Sequence, residues 1–337
     1  MVAATTSETW DAAWTLTMRA HRKRLTDNIS DSYPTLGRFR KAGVMEVETG
    51  GKEIQEDLMY GLGSSEWFDG FDVLSTNAVD GITAAFYQFR YNATSVVISD
   101  TEDAESRKVG STKLITAKSK QAMTKSFDTV NSAIFASQSG KSMLGLQDIC
   151  AESTGTTLGG ISQSTNTWWD NKRGDFNNGT GELSASSTSF LTKQTDQFEG
   201  ITAMGIMWNA CSEGNDKPDL IVTSFTHYGN FEAVFEGSGM TRFVAKGDRS
   251  GPNFGIGAEG DVTYRGAPVI ADRDCTADNM YFLNTKYLKL KVQAGKNFAK
   301  TPFREPSNQL ARVAFVVFGA QLVTNNRRRQ GVLYDLA

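Results

Sequence analysis

Paired cysteines, clustered histidines and long apolar runs are all missing from this sequence, and each absence closes a class of function. Its three cysteines, Cys150, Cys211 and Cys275, stand far apart, and none belongs to a CxxC pair. Zinc ribbons and thiol redox motifs need such pairs, so no metal site or redox motif is expected. An odd number of scattered thiols suits a reducing cytosol better than a disulfide-stapled secreted fold. The two histidines, His21 and His227, have no second His, Cys or paired carboxylate nearby in sequence, which leaves no metal ligand set or general base. The longest apolar run, Val313 to Ala320, falls far short of the roughly 20 residues of a membrane span. The opening MVAATTSETWDAAW lacks a cationic start followed by an apolar stretch, so no signal peptide is expected. Proline is scarce at 6 residues and glycine plentiful at 32, a balance that suits many turns and bulged strands. A formal net charge of -3 argues against a dedicated nucleic-acid binder, which is usually clearly basic.

What is present alternates between helical and extended patterns. Trp10, Trp14, Met18 and Leu25 recur at helical spacing, ahead of a basic tail that includes Arg19, Arg22, Lys23 and Arg24. From Glu46 to Asp80 the chain is acidic, with Lys52 its one base, and Gly50-Gly51, Gly61, Gly63, Gly70 and Gly81 punctuate it. This stretch still carries Tyr60, Trp67, Phe68 and Phe71, aromatics without a local core. A long two-stranded excursion that packs on another subunit explains both features, and Trp67, Phe68 and Phe71 are its candidate anchors. Residues 82–99 read as strand and return. Ile115, Met123, Phe127, Val130 and Ile134 form one helical stripe, with Lys113, Lys118, Lys120 and Lys125 off it, stopped at Ser139-Gly140. Residues 174–195, rich in Gly, Asn, Ser and Thr, read as an exposed loop. A second helix is expected from Phe198 to Trp208, a buried strand at Asp219–Phe225, and a short helix at His227–Glu236. Strands follow at 261–271 and 281–292. Residues 310–323 are apolar on both parities, as in a strand covered on both faces.

Two glycine motifs fail their structural requirements. Gly255–Gly260 matches GxGxxG but leads into DVTYRGAPVI, a strand-like segment, whereas a dinucleotide site needs a helix there. Gly140-Lys141-Ser142 resembles the end of a phosphate loop, yet the glycine required five residues earlier is Phe135, inside the long helix. No catalytic residue and no cofactor is expected.

Four stretches, taken in order and spacing, resemble the major capsid proteins of tailed phages with the Hong Kong 97-like fold. They are SVVISDTEDAESRKVGSTKLITAKSKQAMTKSFDTVNSAIF at 95–135, GLQDICAESTGTTLGGISQSTNTWWDNKR at 145–173 and KPDLIVTSFTHYGNFEAVFEG at 217–237. The fourth combines YRGAPVIADRD at 264–274, MYFLNTKYLKLKV at 280–292 and NNRRRQGVL at 325–333. The resemblance covers roughly residues 45 to 337. It implies an α+β chain with an N-terminal arm at 1–45, an extended loop at 46–95, a peripheral domain at 96–150 and 300–337 built on a long spine helix and a sheet, and an axial domain at 151–299.

The same resemblance implies a structural subunit, not an enzyme. Pentamers and hexamers of this chain would close an icosahedral shell around double-stranded DNA, assembled in the host bacterial cytoplasm and retained in the virion. Portal, scaffolding and decoration proteins are its implied partners, and no membrane is involved. Lys52, Trp67, Phe68 and Phe71 would make intersubunit contacts. Lys52 is the only lysine of the excursion, and no asparagine can be assigned to it for a lysine–asparagine crosslink. The spine helix would turn Lys113, Lys118, Lys120 and Lys125 toward DNA, joined by Arg327, Arg328 and Arg329 near the C-terminus. The bland alternative is solvated lysines and arginines in intersubunit salt bridges. An encapsulin, which houses an enzyme in a shell of the same fold, is the rival reading.

Overall fold

The computed structural model describes residues 33–74, 80–102, 111–194, 197–237, 254–256, 262–307 and 309–336. The basic amphipathic stretch around Trp10–Leu25 lies outside them. The helices are α1 (Pro34–Lys41), α2 (Ser111–Phe135), α3 (Leu146–Ile149), α4 (Glu199–Cys211) and α5 (Phe225–Gly237). The strands of the first half are β1 (Met45–Glu48), β2 (Glu53–Met59), β3 (Ile82–Gln88), β4 (Arg90–Ser99), β5 (Thr157–Leu158), β6 (Ile161–Ser162), β7 (Lys172–Asp175), β8 (Thr180–Gly181), β9 (Lys193–Gln194) and β10 (Gln197–Phe198). Those of the second are β11 (Leu220–Thr223), β12 (Phe254–Ile256), β13 (Val262–Tyr264), β14 (Ala267–Ala271), β15 (Met280–Leu283), β16 (Leu288–Gln293), β17 (Ala299–Lys300), β18 (Ala311–Thr324) and β19 (Gly331–Tyr334).

Two sheets organise the chain. In the five-stranded one, β18 is central: β4 lies antiparallel along one edge from Ala311↔Ser99 to Ala320↔Arg90, and β16 and β17 share the other. β1 adds in parallel to β16. The stripe expected of the long helix is the one buried: Ile115, Met123 and Phe127 of α2 pack on Val96, Ile98, Ala314 and Val316. Further along α2, Val130, Ile134 and Phe135 enter a second cluster with Leu146, Tyr281 and Leu322. Each such side chain contributes about 1.5–3 kcal/mol when fully buried, so the helix is held by its packed face.

The eight-stranded sheet runs in the order β12-β13-β14-β11-β15-β19-β7-β8. One of its faces packs on α4 and α5 through Met204, Met207, Trp208, Phe231, Ile221 and Phe282. The extended segments expected at 261–271 and 281–292 are each two strands. Arg265 and Gly266, both at positive φ, turn β13 back on β14. β15 and β16 lie in different sheets, separated by a turn in which Tyr287 N–H donates to the Asn284 carbonyl. Sheet membership therefore crosses the expected domain edges: β16 belongs with the long helix's sheet, and the C-terminal β19 belongs to the larger one.

The exposed loop expected at 174–195 is a correction. Phe176, Leu183 and Phe190 are buried in the second core, and a Cβ on Gly200 would meet the Phe190 ring at 2.4 Å. The three apolar residues are spaced irregularly among polar ones, so no period betrays them. Near the chain's first described residues, buried Asp272 accepts from Thr35 Oγ1 at 2.7 Å and from Asn131 Nδ2 at 3.0 Å. This ties α1, α2 and the end of β14 together.

Candidate intersubunit surfaces

The acidic excursion is a hairpin with a buried base and a bare tip. β2 and β3 pair antiparallel from Glu53↔Gln88 to Met59↔Ile82. Alternation puts Ile54, Leu58, Ala85 and Tyr87 on one face, and all four are buried against the main core. Tyr87 Oη donates to the Thr324 carbonyl at 2.9 Å. Lys291 reaches Glu56 at 2.6 Å and Glu48 at 3.3 Å, and Lys289 reaches Glu46 at 2.8 Å. Burial pulls Lys291 down, but its bonds to Glu56 and Glu48 outweigh that and hold it above the ordinary lysine value. The expectation that the whole excursion lacks a local core is thus corrected: residues 46–59 are folded on their own subunit. The alternating lysines of LKLKV, opposite the acids of MEVE, are the signal for this anchoring.

Beyond the base the hairpin is largely exposed. Tyr60 still stacks on Trp168, with ring centroids 4.8 Å apart, and its N–H donates to the Gly81 carbonyl at 2.8 Å. The two connecting strands touch there, since a Cβ on Gly81 would meet the Gly61 oxygen at 2.4 Å. Beyond this crossing Trp67 is 102% exposed, Phe71 104% and Phe68 65%. The turn is closed locally, Asp69 N–H donating to the Asp72 carboxylate at 2.9 Å. Lys52 is exposed but sits at the other end of β2, about 23 Å of strand away. The fold does not bring it to the aromatics.

The basic candidates are dispersed. Lys120 is exposed; Lys118 pairs with Glu102 at 3.1 Å, and Lys125 lies 3.7 Å from Asp128. The Lys118 hydrogen bond holds the Glu102 carboxyl below its ordinary range. The side chain of Lys113 lies outside the described residues. Arg328 is exposed and Arg329 pairs with Glu213. Arg327 is a correction: it is fully buried, donating to the Ile149 carbonyl at 2.7 Å, the Asp148 carbonyl at 2.6 Å and Thr156 Oγ1 at 3.0 Å. Burial lowers it to about 10. It satisfies the open end of α3 and presents no charge to a surface.

Catalytic chemistry finds no constellation among the described residues. Buried His227 has Asp278 at 3.7 Å, and burial holds its imidazole below the usual histidine value. No His, Cys, Asp and Glu group suited to a metal occurs among the described residues. Gly140 and Lys141 form a turn after α2, and Gly255 and Ile256 lie in β12, the rest of that second motif lying outside the described residues.

No protein-family model matches the chain, and no curated protein matches it by sequence. Solved structures do. The chain is similar to the capsid of cyanophage A-1(L), at 16% identity and a TM-score of 0.61, over 86% of this chain and 90% of that one. It is similar to the capsid of a native GTA particle, at 11% identity and TM-score 0.58, over 89% and 90% of the two chains. The SrpI encapsulin of Synechococcus elongatus PCC 7942 also matches, at 11% identity and TM-score 0.52, over 87% and 84%. The chain has the Hong Kong 97-like phage capsid fold.

Proposed function

We propose, from this capsid fold, that the chain is the major shell-forming subunit of a tailed phage, building pentamers and hexamers that enclose double-stranded DNA. The observation that carries the reading is the hairpin tip: Trp67 and Phe71 are fully exposed on a hairpin whose base is fixed. Monomeric proteins rarely leave such aromatics bare, whereas interfaces use them as anchors. In this reading the five-stranded sheet with α2 is the peripheral unit and the eight-stranded sheet the axial one. Residues 1–45 form the arm and the hairpin is the extended loop. Lys113, Lys118, Lys120, Lys125, Arg328 and Arg329 make weak, salt-screened contacts with packaged DNA. Scaffolding, portal and decoration proteins complete the head, the chain itself performing no catalysis. Negative-stain microscopy of the purified protein tests this: closed icosahedral particles are expected, and protein that remains monomeric at high concentration overturns it.

The similarity to an encapsulin favours a second reading, a shell that holds a protein cargo. Particles purified from the native source decide between them. Nuclease-protected double-stranded DNA supports the phage head; a co-purifying enzyme inside DNA-free shells supports the compartment.

A further inference from the structure

A cavity of about 330 Å³ lies where the last turns of α2 meet the start of β4, β18 and the turn that follows the helix. Arg90 and Asn92 of β4 stand opposite Ala320 and Phe318, so they share the sheet face that α2 covers. Val130, Met143, Phe318 and Ala320 line the cavity and are all buried, which gives it an apolar floor. Lys141 lines it too and is exposed, so it stands at the rim.

The charge around this cavity has one sign. Arg90 and Lys141 line it, and no acid does among the described residues. Neither cation has an ion pair among those residues, and Arg90 Nε is buried without a hydrogen-bond partner. Leaving a buried guanidinium N–H unpaired is costly, and an anion that enters from outside supplies the missing acceptor. Asn92 and Ser142 add neutral donors. The Ser142 hydroxyl accepts from the Ser139 N–H at 2.8 Å, which leaves its own proton to give. Gly140, at a φ of 55°, closes the turn that carries Lys141. Thus the Gly140-Lys141-Ser142 triplet, which lacks the earlier glycine of a nucleotide loop, still brings its lysine and serine to one cavity. The carbonyls that end α2 would repel an anion, but the Gly145 backbone covers them: a Cβ there would meet the Ala133 and Ile134 oxygens at 2.7 and 2.9 Å.

We propose that this cavity binds a small phosphate monoester, its phosphate on Arg90, Lys141 and Ser142 and its apolar body over Val130, Met143 and Phe318. Two cations with two neutral donors suit a phosphate, with its near-double charge and three acceptor oxygens, better than a carboxylate. The phosphates of duplex DNA lie on a stiff rod and cannot follow into a recess whose arginine nitrogen is buried. All the residues belong to one subunit, so the site stands apart from shell assembly.

Isothermal titration of the full-length protein with phenyl phosphate at low ionic strength tests it. One saturable site per subunit is expected, several-fold tighter than for inorganic phosphate, which has the charge without the apolar body. Arg90→Gln should weaken phenyl phosphate binding by about tenfold or more, because charge-assisted hydrogen bonds are lost. Lys141→Ala, at an exposed turn position that leaves the melting temperature unchanged, should weaken it by a smaller factor that shrinks as salt is added. If Arg90→Gln misfolds, the Lys141→Ala titration alone decides. No saturable binding by the wild type, or binding that the variants leave unchanged, overturns the proposal. Equal affinity for the two probes overturns the apolar half of it. Displacement of phenyl phosphate by a short DNA duplex overturns the small-ligand reading and gives the cations to the nucleic-acid backbone.

Discussion

The base and the tip of the hairpin come from one stretch of sequence and meet opposite environments. At the base, apolar residues alternate at Ile54, Leu58, Ala85 and Tyr87, so one face is buried and Glu56 on it finds Lys291. At the tip, Trp67, Phe68 and Phe71 are crowded within five residues around Asp69 and Gly70, a pattern with no face to bury. The base is therefore set by folding, and the tip's apolar area stays available for association. Stability of the subunit and stability of an assembly can thus be changed separately, by substitutions less than 15 residues apart.

The largest effect expected from breaking this contrast lies at the tip. Replacing Trp67, Phe68 and Phe71 together with serine removes about 2 kcal/mol or more of association per well-buried aromatic at every repeated contact. Shell formation should be abolished at all accessible concentrations. The monomer's denaturation midpoint should stay within the roughly 0.5 kcal/mol typical of surface changes. Sedimentation velocity and a urea titration on the same sample check both halves, and a destabilised monomer would show that the tip has a partner at home.

The reverse experiment is Leu58→Ala, one substitution at the base. Leu58 is buried in the main core, so a loss of about 2–5 kcal/mol of subunit stability is expected. Shells formed below the lowered melting temperature should retain the wild-type assembly concentration. A loss under 1 kcal/mol would mean that the base is loosely packed and moves with the tip.

Much of this contrast is legible in the amino-acid order alone, for physical reasons that also mark where legibility ends. The stripe from Ile115 to Ile134 has one period and one buried face, so α2 and its packing can be read directly. Exposed aromatics among acids mark the tip. The base escapes such a reading because its ion pair joins β2 to β16, more than 200 residues later: the alternating lysines of LKLKV show a charged face, but nothing local says which acids it meets. Arg327 looks like one of three equivalent cations in RRR, and only its seat under α3 separates it from Arg328. Residues 310–323 read as one strand and form one, but apolar parity cannot say which half of a face its own chain covers. Sheet membership of β16 and β19 is equally illegible, because a short connection, residues 284–287 before β16 and 325–330 before β19, decides which sheet a strand joins.

The smallest and sharpest test is Tyr87→Phe, which keeps the ring and deletes the bond that ties β3 to the end of β18. One buried hydrogen bond is worth about 1 kcal/mol, with some further cost from the Thr324 carbonyl left without that donor. A fall of a few degrees in the subunit's melting temperature is expected at neutral pH. The pH dependence separates this from general loosening. Burial raises the Tyr87 hydroxyl above the ordinary tyrosine value, so the folded state holds its proton after the unfolded chain has lost it. Above about pH 10 the unfolded state then binds fewer protons, and wild-type stability falls as pH rises. Tyr264 and Tyr281 are raised in the same direction, so the variant should keep part of this alkaline loss and lack only the share due to Tyr87. The gap in stability between wild type and Tyr87→Phe should therefore narrow from neutral pH to pH 11, measured by urea titration. A gap that stays constant would mean that the hydroxyl titrates normally and the base is open to water. An assembly concentration that shifts more than the stability does would mean that the base rearranges when the tip docks.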